Sequence, residues 1–333
     1  MYWQDYKRNN IQIVKAVATL LVILIHTSAY WSYDYVIFPF LASCVGIFIF
    51  ISGYLTKTEI SDVSTFYKRR LVKVLIPYVI CSLGYCLLTS SWDDLLLRLL
   101  TGRCNSTYYY IFVFVQLILL TPLIAKVVKS RFYPILYLIT PVVILIEEAQ
   151  IHEGLFLIFP YNINNCLVWI SYFALGMRLR YVEDRDNYFI ENNKKDFALI
   201  SFVITTLGLI FQYLESDYWR GFGRMDMPTS MAKVSVFITT IGLCGLAKYF
   251  IENAGENGEN SLIRRGLKAV GDKAFEIYLL HQFTMKIFSR VEAIDSLNPF
   301  PKAAVVFVVT LVAIYILQSG HSGIKKILNR KES

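Results

Sequence analysis

Of 333 residues, 56% are hydrophobic and only 17% charged, and the mean hydropathy is +0.48, a balance outside that of soluble domains. The formal net charge of +8 comes from basic residues dispersed among loops, with no aromatic-interleaved basic patch, so nucleic-acid binding is unnecessary as its explanation. A polytopic membrane protein is expected, all-α, with one integral domain over residues 1–333, because many spans leave little room for a soluble domain beside them.

A bilayer core of about 30 Å needs roughly 20 residues of helix. Ten apolar stretches come near that length: 11–30, 36–55, 71–89, 108–125, 132–147, 163–180, 197–214, 230–250, 270–289 and 302–318. The first runs from Ile11 to Tyr30. It is too long for the apolar region of a secretory signal and lacks a small-residue cleavage site, so a retained helix is expected. It contains Lys15 and His26, and ionisable groups inside a membrane-length helix are rare unless they act. The two lie about 16 Å apart along an ideal helix axis. An imidazole gains and loses a proton near neutral pH and carries both a donor and an acceptor, which suits proton exchange with a hydroxyl; the plainer role is a hydrogen bond made for packing.

Arg69, Arg70 and Lys73 stand at the start of the third stretch, and Arg70 and Lys73, three apart, share a helical face. With Lys15 they form a cluster able to hold phosphates, unless they serve only as headgroup anchors. Between the third and fourth stretches, Ser91 to Leu100 (SWDDLLLRLL) is amphipathic and suits a membrane surface, and Asn105-Ser106-Thr107 matches a glycosylation acceptor. The fifth stretch carries Pro134 and Pro141 and ends on Glu147 and Glu148, a carboxylate pair that either binds a polar acceptor or marks the water interface. Glu252 to Ser261 (ENAGENGENS) reads as a loop. His281, in IYLLHQF of the ninth stretch, is a second imidazole within a span, either a further substrate-contacting group or a packing residue. The six cysteines show no paired spacing and are expected to be packing residues; no ligand spacing calls for a metal.

Lysine and arginine gather on the cytoplasmic side of membrane proteins. With the N-terminus inside, the inner segments hold 22 such residues and the outer segments 6, which predicts ten spans, both termini cytoplasmic, and a multi-pass protein of the cytoplasmic membrane. Three function classes suit such a bundle: a membrane-embedded enzyme, a small-solute transporter with a polar path, and a scaffold or receptor. A transporter often shows internal repeats, and none is detected.

The spacing of Lys15 and His26, in RNNIQIVKAVATLLVILIHTS, resembles the Arg/Lys-X10-His signature of the acyltransferase 3 family. GIFIFISGYL (Gly46 to Leu55), FYKRRLVKVLIPY (Phe66 to Tyr78), YYYIFVFVQLILLTPLI (Tyr108 to Ile124), YFALGMRLR (Tyr172 to Arg180) and EIYLLHQF (Glu276 to Phe283) are similar to further blocks of that family, in order. The resemblance implies transfer of an acyl group, commonly acetyl from cytoplasmic acetyl-CoA, to sugars or other acceptors of the cell envelope. It gives His26 the catalytic role, Lys15 the family's basic position, and Arg70 with Lys73 its paired arginines in the donor region. Two departures stand out: Gln12 replaces a common Asp, and Lys73 replaces the second arginine, offering a point charge where arginine offers a planar fork. Taken with the helix spacing, acetyl-CoA or another acyl-CoA is expected to dock its phosphates at Lys15, Arg69, Arg70 and Lys73 while the thioester reaches His26. Envelope saccharide or lipid-linked glycan is the expected acceptor, with Glu147, Glu148 and His281 as candidate contacts. Membrane lipids are the remaining partners, and the oligomeric state is left open.

Overall fold

The apolar stretches fold as helices because a backbone in lipid must satisfy its polar groups internally. The computed structural model describes residues 2–28, 34–152, 163–185, 194–253 and 261–331, and no strand occurs among them. In chain order the helices are α1 (Tyr2–Ser28), α2 (Asp34–Leu41), α3 (Cys44–Tyr54), α4 (Val63–Thr89), α5 (Leu95–Thr101), α6 (Tyr109–Lys129) and α7 (Tyr133–His152). They continue as α8 (Ile170–Arg185), α9 (Lys194–Gly221), α10 (Val234–Asn253), α11 (Leu262–Asp272), α12 (Ala274–Phe288), α13 (Glu292–Asp295) and α14 (Pro299–Lys331).

Among the described residues, eight helical segments are long and apolar enough to cross a membrane, with α2 and α3 together making one of them. The fifth expected stretch is among the eight despite its prolines, because Pro134 falls in the first turn of α7 and only Pro141 lies inside. The expected sixth and ninth spans are shorter: α8 has 16 residues and α12 has 15, about 24 and 22 Å of helix. Each is preceded by a break, a 3₁₀ turn at Cys166–Val168 and the junction at Lys273. The segment Glu252 to Ser261 lies mostly outside the described residues, at 254–260.

Helix α1 sits at the centre, in contact with α2, α3, α10, α11, α12 and α14. Around it, two helix pairs approach backbone to backbone. A Cβ at Gly53 of α3 would overlap the Phe173 carbonyl oxygen of α8, and one at Gly176 would overlap that of Phe50. Gly208 of α9 and Gly242 of α10 make the same allowance opposite Thr239 and Thr205. Small residues at such crossings let helices gain dispersion contacts that lipid does not supply. Leucines at 96, 97 and 100 are exposed on α5, whose apolar face suits the membrane surface expected of Ser91 to Leu100. Asn105 is buried and its Oδ1 accepts the Thr107 N–H at 3.0 Å, so the glycosylation match is occupied as a helix cap.

One end of the bundle, here the basic end, is tied by a buried ion network. Lys248 pairs with Glu183 at 2.9 Å and with Glu252, Lys7 pairs with the same two carboxylates, and the Tyr54 hydroxyl donates to Glu183 at 2.5 Å. Lys248 is 1% exposed. Near this end Asp62 caps α4, accepting from the N–H groups of Ser64 and Thr65. The Thr65 hydroxyl bond, then the backbone bonds, hold the exposed Asp62 carboxyl below the usual carboxylate range.

Candidate functional site

A cavity of about 580 Å³ lies between α1, α3, α4, α6 and α12. Lys15 lines it from α1, and its Nζ donates to Gln12 Oε1 at 2.9 Å, so the residue three positions earlier on the same face holds the ammonium by its amide. Arg70 and Lys73 line it from α4, one turn apart as their spacing predicts. Arg70 Nη2 reaches Thr56 Oγ1 at 3.3 Å, in the loop that follows α3. Lys73 is exposed, which places the mouth of the cavity on its side.

Further along α1, His26 lines the same cavity and is half-buried. Between the cations and the imidazole the wall is mostly apolar, with Val22, Val45, Phe48, Phe114 and Phe275. Its uncharged polar groups include Ser52, Tyr109 and Tyr278, and the Tyr109 hydroxyl lies 3.5 Å from Met231 Sδ. Three cations at the mouth, a neutral corridor and an imidazole beyond it fit a long ligand that is anionic at one end and reacts at the other. Cations at such a mouth attract phosphate oxygens, and the apolar stretch favours an uncharged arm.

Four of the candidate residues therefore share one wall: Lys15, His26, Arg70 and Lys73. Arg69 is exposed and is not among the lining residues. His281 is fully buried behind His26, the ring centroids 5.3 Å apart, and is not on the cavity surface. Glu147 and Glu148 are placed elsewhere, at the end of α7 opposite the basic end. Glu147 is buried, and Glu148 Oε1 accepts the Val234 N–H at 3.0 Å. Around Glu148, Glu215 accepts from the Ser235 hydroxyl, and buried Lys233 donates to Ser216 Oγ at 3.1 Å and the Pro228 carbonyl at 2.9 Å. That second polar cluster joins α7, α9 and α10 and carries none of the cavity's lining.

The lining residues Ser52, Tyr109, Phe275 and Tyr278 were not singled out in sequence, although each lies in a block similar to the family's or beside one. The buried lysines had a readable signal: Lys233 and Lys248 fall inside the stretch 230–250, under the same rule that drew out Lys15.

A family model described as an acyltransferase domain, that of the acyltransferase 3 family, matches residues 8–318, nearly the whole chain. Neither curated proteins nor solved structures include a match.

Proposed function

The chain belongs to the acyltransferase 3 family, and from that premise we propose that it moves an acyl group, acetyl first among candidates, from acyl-CoA to a hydroxyl with His26 as general base. The acceptor is a cell-envelope saccharide or lipid-linked glycan, met within the bundle. The protein spans the cytoplasmic membrane ten times with both termini inside, α8 and α12 completing the count, and the donor enters from the basic end.

The observation that carries this reading is the single cavity that holds Lys15, Arg70 and Lys73 at its mouth and His26 further in. Acyl-CoA has the matching shape: a polyanionic nucleotide head on an uncharged arm ending in a thioester. The three cations bind the phosphates, and the arm follows the apolar wall. His26 takes the proton from the acceptor hydroxyl as its oxygen attacks the thioester carbonyl. The tetrahedral species collapses, the C–S bond breaks, and the thiolate leaves with the proton returned by His26, giving the ester and free CoA thiol. A base so placed typically contributes 10² to 10⁴ in rate.

Purified His26→Ala should fold, bind acetyl-CoA and transfer no acetyl to isolated membranes. Transfer near the wild-type rate by that variant would remove His26 from the mechanism. Failure of the wild-type protein to bind any acyl-CoA would favour a small-solute transporter instead.

A further inference from the structure

Behind His26 stands a second imidazole with its hydrogen bonds fully committed. His281 Nδ1 lies 2.8 Å from the Tyr278 carbonyl oxygen and 3.1 Å from that of Ile277. Carbonyl oxygens only accept, so Nδ1 carries the proton. His281 Nε2 lies 3.3 Å from the side-chain nitrogen of Gln282, which only donates, so Nε2 is the acceptor. Both contacts assign the same neutral tautomer. The ring has no N–H left to offer His26, and its lone pair is already engaged.

The two rings nevertheless meet, at 5.3 Å between centroids and 33° between planes. The helix beneath His281 is held by three hydrogen bonds on two sides. Tyr108 donates its hydroxyl to the Leu279 carbonyl at 2.9 Å, Tyr278 donates to that of Thr107, and the hydroxyls of Thr284 and Thr310 join α12 to α14 at 2.9 Å.

Given the reading of His26 as the base, on which this depends, we infer that His281 is its positioning residue. Its buried ring, fixed by Tyr278, Ile277 and Gln282, backs the His26 imidazole and leaves the basic lone pair of His26 free for the cavity. A donor at that position would compete for the lone pair. A small residue would let the ring swing, and a base displaced by an ångström loses much of its effect.

The test separates ring from hydrogen bond. His281→Asn keeps an N–H near the position of Nδ1 but removes the ring, whereas His281→Phe keeps a ring and removes both nitrogens. With radiolabelled acetyl-CoA as donor and isolated membranes as acceptor, His281→Asn should lose kcat by about tenfold or more with donor KM within about twofold. His281→Phe should keep kcat within about threefold, even where its Tm falls, because Gln282 loses its partner. Equal loss in both variants, or none in either, would overturn the assignment. Independently of any variant, ¹⁵N-histidine spectra of the wild-type protein should show His281 neutral with the proton on Nδ1; the other tautomer or an imidazolium would also overturn it. Full activity in His26→Gln would sink the base itself, whatever the His281 variants do.

Discussion

Arg69 and Arg70 are neighbours in sequence with different surroundings: Arg70 lines the cavity and contacts Thr56, while Arg69 is exposed. Changing Arg70 or Lys73 to Gln should raise the donor KM by about tenfold with a smaller effect on kcat, because binding common to ground and transition states is what is lost. Arg69→Gln should leave both constants within about twofold. Steady-state kinetics with acetyl-CoA decide it, and a kcat loss alone in the Arg70 variant would put that residue at the reacting end. Lys15 and His26 stood out in sequence because charge or imidazole inside an apolar run is costly, and Arg70 and Lys73 because their three-residue spacing at the start of the third stretch puts both on one helical face. Glu147 and Glu148 stood out as a carboxylate pair ending an apolar run, yet Glu147 is simply buried and Glu148 joins the cluster of Glu215 and Lys233, residues far away in the chain. Its partners come from α9 and α10, and no spacing rule links three helices. His281 was visible as a residue, but its place behind His26 depends on how α12 crosses α1.

Helix pairs carry the next scale. The crossing of α3 and α8 depends on Gly53 and Gly176, where any side chain meets the facing backbone. Gly53→Ala or Gly176→Ala should cost about 1–3 kcal/mol by overpacking, read as a lower Tm in detergent. Because α3 also supplies Phe48 and Ser52 to the cavity, the donor KM should rise in the same variants. The ion network that joins α1, α3, α8 and α10 makes a separate prediction. Lys248→Met leaves Glu183 and Glu252 with Lys7 as their remaining shared cation, and breaking a buried pair from one side typically costs about 3–5 kcal/mol. A Tm unchanged by that substitution would mean the network is solvated. Hydropathy resolved the long helices at this scale, including the proline-bearing α7. It overstated α8 and α12, because the apolar runs 163–180 and 270–289 continue through a 3₁₀ turn and a helix junction that composition does not register.

For the molecule as a whole, the cavity is assembled from five helices that span nearly the full chain, so occupancy should stabilise the entire bundle. Acetyl-CoA should raise the Tm of the wild-type protein in a concentration-dependent way, by about 2.7 kcal/mol of stability at a hundredfold excess over Kd. The same shift is expected for His26→Ala, which keeps the cationic mouth, and little or none for Arg70→Gln combined with Lys73→Gln. Equal shifts in all three proteins would mean that acetyl-CoA binds somewhere else. Composition announced the class of the molecule, and the family resemblance covered its length. The meeting of α1, α3, α4, α6 and α12 around one space was not written in either, since periodicity tells which face of a helix is buried but not which neighbour buries it.

The central position of α1 bears on how the protein is made. Among the described helices it is synthesised before α11, α12 and α14, which pack against it. Until α12 follows, Lys15 and His26 must wait in the membrane without the Phe275, Tyr278 and His281 that later pack near them. A nascent chain stalled before α12 should therefore be inserted but inert toward donor, and quality control acting on unassembled helices has an extended opportunity on the segment that carries Lys15 and His26.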